Sequence, residues 1–174
     1  MIALLSYKLG AFLAGVLPVG LSRRVTALLA WSQYYLRARS RSNVTRNIRL
    51  VTGLGDGAET RRLARAVFAN FGNSIYSFLR LPYASPDELR GSCDYAGLDR
   101  LAAELRRRGG FVIAGPHVGP WEMAGACLSA LGLEVHTVAL DHPSRGVTEF
   151  FDGRRANAGI VCHPVGGSFT VLTD

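Results

Sequence analysis

The chain opens on an apolar stretch. Residues 9–21, "LGAFLAGVLPVGL", hold thirteen positions without a charge, and the only charge before them is Lys8. A bilayer span needs roughly 20 apolar residues, so this run is short; extended back to Met1 it reaches 21 residues if Lys8 snorkels. A signal peptide fits poorly, because the charge lies inside the apolar stretch and Arg23-Arg24 follow in place of a small-residue cleavage site. The pattern predicts a helix embedded in, or lying on, a membrane interface, with the downstream arginines on the cytoplasmic face. A buried core helix is the competing reading. Residues 21–39 carry apolar positions at helical spacing after a candidate N-cap, Ser22. A polar, basic stretch then runs from residue 40 into the loop "GLGDG". Residues 58–81 predict a long amphipathic helix with Leu63, Val67, Phe71, Ile75, Phe78 and Leu79 near one face, ended by Pro82 and "SPDE".

From residue 97 the pattern changes. "GLDRLAAELRRRG" predicts a short helix closed by glycine, with Arg106, Arg107 and Arg108 in the last turn, where cations suit the helix dipole. "GFVIAG" at 110–115 reads as a buried strand, "WEMAGACLSALG" as a helix and "LEVHTVAL" as a second strand. "PSRGVTEFFDGRRANAG" follows as a helix and "IVCHPV" as a third strand. Strands alternating with helices of this length imply βαβ units and a parallel sheet. The expected fold class is therefore α/β. A basic, membrane-associated helical segment over residues 1–55 precedes an α/β core over 56–174 with a mainly parallel sheet. Gly166-Gly167 marks a turn, and "SFTVLTD" the start of a helix with no closing signal, so the core reads as truncated.

Charge sharpens the first half of this picture. The net charge is +7, and Lys8, Arg23, Arg24, Arg37, Arg39, Arg41, Arg46 and Arg49 all precede the first acid, Asp56. Beyond that point twelve basic and thirteen acidic residues nearly cancel. An acid-free basic segment seeks an anionic partner: lipid headgroups, an acidic carrier protein or nucleic acid. Its aromatics, Phe12, Trp31, Tyr34 and Tyr35, sit among Leu, Ala and Val, which suits a lipid interface and disfavours nucleic acid. Cys93, Cys127 and Cys162 are odd in number and lack a Cys-x-x-Cys spacing. They imply a reducing compartment, no disulfide framework and small core residues. Cys162 and His163 adjoin, but no zinc-ligand spacing is present and no metal is expected.

The candidate chemistry lies in "GPHVGPWE", residues 115–122. In open α/β sheets ligands gather at the carboxyl ends of strands, and His117 stands two residues past the expected strand. Pro120 suits the first helical position, which would make Glu122 the third. The pair then meets from loop to helix: Glu122 accepts a hydrogen bond from one imidazole nitrogen, and the other faces the cleft as a general base. No Ser or Cys beside them is an obvious nucleophile, so direct deprotonation of a substrate hydroxyl fits better than a covalent enzyme. The N–H groups after Pro120 would favour an oxyanion. A turn histidine beside a capping glutamate is the plainer alternative. Trp121 either lines an acyl pocket or membrane interface or packs under the sheet corner. His136 reads as structural; Asp141 and His142 follow the second strand where they can touch substrate.

"GGFVIAGPHVGPWEMAGACLSALG" resembles the first block of the lipid A late acyltransferase family, of the lauroyl/myristoyl type, within the lysophospholipid acyltransferase superfamily with its H-x4-D/E motif. "VTRNIRLVTG" is similar to that family's Arg-Asn-aliphatic segment after the N-terminal helix, and "VFANFGNSIYSFLRLP" to its next helix. The resemblance implies a glycerol-3-phosphate acyltransferase-like fold, of which the chain covers the first half to three-fifths. It also implies transfer of a fatty acyl group to a glycolipid or lysolipid hydroxyl at the cytoplasmic face of the inner membrane. His117 becomes the base and Glu122 its partner; a basic residue after the second strand, Arg154 or Arg155, contacts substrate or donor, with Gly119 and Trp121 lining the site. No cofactor is implied beyond the co-substrate, an acyl thioester of acyl carrier protein or coenzyme A, and the partners are that donor, anionic membrane lipid and a glycolipid acceptor. A truncated, non-catalytic relative that binds membrane surfaces is the alternative.

Overall fold

The computed structural model describes residues 2–94 and 96–165. Helix α1 (Ile2–Val16) stops ahead of Pro18, and Pro18 becomes the N-cap residue of α2 (Val19–Leu36). Proline lacks the N–H that would continue the first helix. Ser22, the predicted N-cap, instead lies inside α2, buried, with its hydroxyl donating to the Leu17 carbonyl at 3.4 Å. The apolar run is therefore split between two helices, and no described helix is long and apolar enough to cross a membrane. The polar stretch after it is also helical, as α3 (Ala38–Thr52), closed by Gly53 at φ +72°. Arg41, Val44, Thr45 and Ile48 form its half-buried face at i, i+3, i+4, i+7 spacing.

These three helices pack around α4 (Ala58–Arg80). Its C-terminal half buries Tyr76, Phe78 and Leu79 as the pattern predicts, but its N-terminal half buries Thr60 and Ala64. Val67 and Phe71, placed on the core face by periodicity, are 43% and 60% exposed. Small residues decide this: a Cβ on Gly72 would lie 3.0 Å from the Ala30 Cβ, so α2 approaches along the Gly72 line and the large side chains turn aside. Val67 and Phe71 then join Leu13, Leu17, Val25 and Leu29 in lining an apolar groove of about 660 Å³ among the N-terminal helices and α4. At the end of α4, Arg80 donates to the Ala14 carbonyl near the end of α1 and pairs with Glu88 at 3.0 Å.

A 3-10 turn at Leu81–Tyr83 leads into α5 (Pro86–Gly91). The "SPDE" segment thus starts a helix as well as ending one: the Ser85 hydroxyl accepts the Glu88 N–H. Helix α6 (Leu98–Arg108) ends at Gly109, φ +76°, as predicted. Beyond it come α7 (Trp121–Ala130), β1 (Val135–Ala139), α8 (Arg145–Asn157) and β2 (Ile160–Pro164). The two strands are parallel, with Val135 opposite Ile160 and Ala139 opposite Pro164, so the later βαβ unit forms as expected.

The earlier one does not. Residues 110–115, predicted as a buried strand, pair with nothing among the described residues, and Val112 and Ile113 are 95% and 61% exposed. A strand exists through its ladder partner, and among the described strands β1 is hydrogen-bonded to β2 alone. The apolar run announces that burial would be favourable without supplying the neighbour that buries it. The architecture is mixed: eight described helices with a small two-stranded parallel sheet. One core joins Ala11 and Ala14 of α1, Phe78 and Leu79 of α4, Leu89 of α5, Ala126 and Cys127 of α7 and Ile160 of β2. The Gly166-Gly167 turn and the helix predicted after it lie outside the described residues.

Candidate functional site

The His117 segment is a pair of tight turns. The Val118 N–H donates to the Pro116 carbonyl at 2.8 Å and the Trp121 N–H to the Gly119 carbonyl at 3.1 Å. These i to i+2 bonds put His117 and Pro120 at the turn centres. Gly119 adopts φ +69°, a left-handed conformation that favours glycine, and Pro120 is the N-cap of α7 at φ −85°, ψ 76°. Pro120 is therefore one place earlier than predicted, and Glu122 is the second helical residue, not the third. Its carboxylate still lies in the first turn, where the helix dipole favours a negative charge.

The His117 imidazole is exposed and rests against Trp121, with ring centroids 4.8 Å apart. No described residue hydrogen-bonds it. Glu122 instead turns inward to Arg155, its Oε1 3.4 Å from a guanidinium nitrogen. Both side chains of this pair are mostly buried, 14% and 16% exposed respectively. The same guanidinium binds Asp152 at 3.1 Å and sits 5.8 and 5.9 Å from the ring centres of Phe78 and Phe151. The predicted loop-to-helix hydrogen bond between His117 and Glu122 is thus replaced by an ion pair from α7 to α8.

Arg154 and Arg155, which the sequence did not separate, diverge. Arg154 donates to the Leu79 carbonyl and stacks near Phe150, 4.8 Å from its ring centre, so it fastens α8 to the end of α4. Arg155 alone of the two reaches Glu122. Cys162 of β2 lies within 3.8 Å of Arg155. Burial pushes its thiol above the ordinary cysteine range, and a hydrogen bond with Asp152 adds to the rise against the pull of Arg155. Asp152 was missed as a neighbour, although it stands three residues before Arg155 on one helix face.

The remaining histidines lie elsewhere. His136 and His163 stack on the two strands, hydrogen-bonded at 2.9 Å, with Glu134 3.0 Å from the other nitrogen of His136. His142 accepts the Ser144 N–H just ahead of α8, and Asp141 is exposed beside it.

A parallel βαβ unit behind a histidine turn at a helix N-terminus is compatible with the α/β class of acyltransferases. The sequence comparison carries the assignment further: residues 4–173 match the family described as bacterial lipid A biosynthesis acyltransferase. The chain belongs to this family. It is 28% identical over 149 residues to the phosphatidylinositol mannoside acyltransferase of Mycobacterium tuberculosis, across 82% of this chain and 47% of that protein. It is 29% identical over 124 residues to the protein of the same name from Mycolicibacterium smegmatis, across 71% of this chain and 40% of that one. The chain therefore spans about half the length of these relatives or less. No solved structure matches it.

Proposed function

We propose that the chain carries the base-bearing part of a membrane-associated acyltransferase that moves a fatty acyl group from a thioester donor to a glycolipid hydroxyl. Two facts support the reading: membership of an acyltransferase family, and a solvent-facing histidine beside a helix whose first turn holds Glu122, mostly buried and paired with Arg155 of α8. His117 removes the proton of the acceptor hydroxyl, whose oxygen attacks the thioester carbonyl. The tetrahedral oxyanion collapses, expels the donor's sulfur, and the imidazolium returns its proton to that thiolate. Glu122 is held by Arg155 in the free protein; on this reading its second carboxylate oxygen turns to His117 in the substrate complex, where catalytic hydrogen bonds often first tighten. Arg155 holds Glu122 in place and, with Gly119 and Trp121, borders the donor and the developing charge. Acyl carrier protein and coenzyme A are both acidic thioester carriers that suit the basic chain. The relatives' names point to phosphatidylinositol mannoside and the family description to lipid A; both acceptors are amphiphilic glycolipids.

The surface of the N-terminal helices supports membrane contact. Leu5, Leu9, Phe12 and Val16 form one stripe of α1, each at least 59% exposed, and Leu21, Leu28 and Tyr35 recur every seven residues on α2. Helix α1 is about 22 Å long against a hydrocarbon core of about 30 Å, so it lies in the interface, with the basic side chains toward anionic headgroups. The groove beside it falls within the ~300–1,000 Å³ range of small-molecule sites and would seat an acyl chain. The inner membrane, cytoplasmic face, is the proposed location.

His117→Ala tests the reading. Loss of acyl transfer by about 10²–10⁴-fold with vesicle binding intact is expected. Retained transfer sinks the mechanism; a wild-type chain that binds vesicles and transfers nothing favours the membrane-binding module instead.

A further inference from the structure

Two of the three scattered cysteines meet. Cys93 follows α5, and Cys127 lies in α7, 34 positions later; their sulfurs are 2.6 Å apart. Cys127 is 2% exposed, whereas Cys93 is only partly buried. The Cys127 Sγ also lies 3.2 Å from the Leu89 carbonyl, which can accept its thiol proton. The helices beside them are fastened in the same place, since Arg90 of α5 donates to the Ala130 carbonyl at the end of α7. Both side chains are thiols in this structure. Disulfide formation needs two sulfurs brought to about 2.05 Å on backbones already close, and packing has done nearly all of that.

We propose that Cys93 and Cys127 form an oxidation-sensitive pair that closes into a disulfide under a low-molecular-weight disulfide oxidant such as oxidised glutathione. The thiolate of half-buried Cys93 attacks one glutathione sulfur, and the S–S bond of glutathione breaks. A mixed disulfide forms, and the released glutathione thiolate takes a proton. Cys127 then loses its proton and attacks the Cys93 sulfur, expelling the second glutathione, which is protonated in turn. Two protein thiols are oxidised by two electrons and one oxidised glutathione is reduced to two thiols. The bond pins the end of α5 to α7 and encloses the whole irregular segment that carries His117 and the start of the helix that carries Glu122. Cys162 stands apart, with its thiol pushed up beside Asp152.

The test treats the purified chain with oxidised glutathione, blocks the remaining thiols with iodoacetamide and maps peptides with and without reductant. Expected are an intramolecular Cys93–Cys127 peptide, an alkylated Cys162, and a thermal midpoint several degrees higher that falls back on reduction. In Cys127→Ala the intermediate is stranded, giving one stable glutathione on Cys93; Cys162→Ala keeps the bridge. The proposal is overturned by a bridge to Cys162 or between chains. It is equally overturned if wild type and Cys127→Ala end with the same Cys93 adduct.

Discussion

The Glu122–Arg155 pair links α7 to α8, and its removal has a calculable effect. Arg155→Met keeps an apolar stem against the stacked Phe78 and Phe151 rings but leaves the Glu122 carboxylate, 14% exposed, without its cation. At the observed 3.4 Å separation the gross attraction is about 5 kcal/mol at an effective dielectric near 20. Most of that offsets desolvation, so the net worth of the intact pair is small. Removing one partner is different, because the desolvated charge stays behind; for fully buried pairs this costs about 3–5 kcal/mol. Residual exposure and the 41% exposed Asp152, which also loses its partner, bring the expectation to about 2–3 kcal/mol. With a urea slope of about 2 kcal/mol/M, the unfolding midpoint falls by about 1–1.5 M. Glu122→Gln costs less, about 1 kcal/mol, because Arg155 keeps Asp152. The double variant should be about 1–2 kcal/mol more stable than the sum of the singles predicts. Additivity within about 0.5 kcal/mol would refute the reasoning and mean that both charges are solvated independently.

Other outcomes follow from single features. Gly159 joins α8 to β2 at φ +75° with the Ser129 side chain against it, so Gly159→Ala should lower stability by about 1–2 kcal/mol, read as a drop in thermal midpoint. Alkylation of Cys162 should reach half its maximal rate at a pH above the ordinary cysteine range, and Asp152→Asn should move that midpoint down; an unchanged profile would mean the carboxylate does not act on the thiol. Leu9→Glu with Phe12→Glu changes two α1 positions that are each 60% exposed, so folding should survive while sedimentation with anionic vesicles falls at least tenfold. Vesicle binding unaffected by those charges would remove α1 from the interface.

Local physics was legible from the residues alone. Helices α4, α6, α7 and α8 and both strands formed near their predicted bounds, because periodicity and end signals such as Gly109 act over a few neighbouring residues. Helix α3 was passed over because charge dominates it, although Val44 and Ile48 mark its inner face. The acid-free basic stretch and the eight-residue histidine motif also stand out in the sequence, where they raise the expectations of membrane contact and of a catalytic base.

Tertiary structure decided everything that depends on who stands beside whom. The run at 110–115 was apolar enough for a strand but has no ladder partner among the described residues, so it is irregular and exposed. The burial face of α4 was shifted by a close approach at Gly72 that no hydrophobic period records. Arg154 and Arg155 are adjacent in the chain yet serve different neighbours, and Glu122 finds a cation 33 positions away. Cys93 and Cys127, scattered in sequence, touch because α5 packs on α7. Hydrophobic period and helix caps are properties of the chain's own neighbourhood, whereas ion pairs, thiol contacts and sheet partners require distant segments to be brought together, and only packing of the whole core does that.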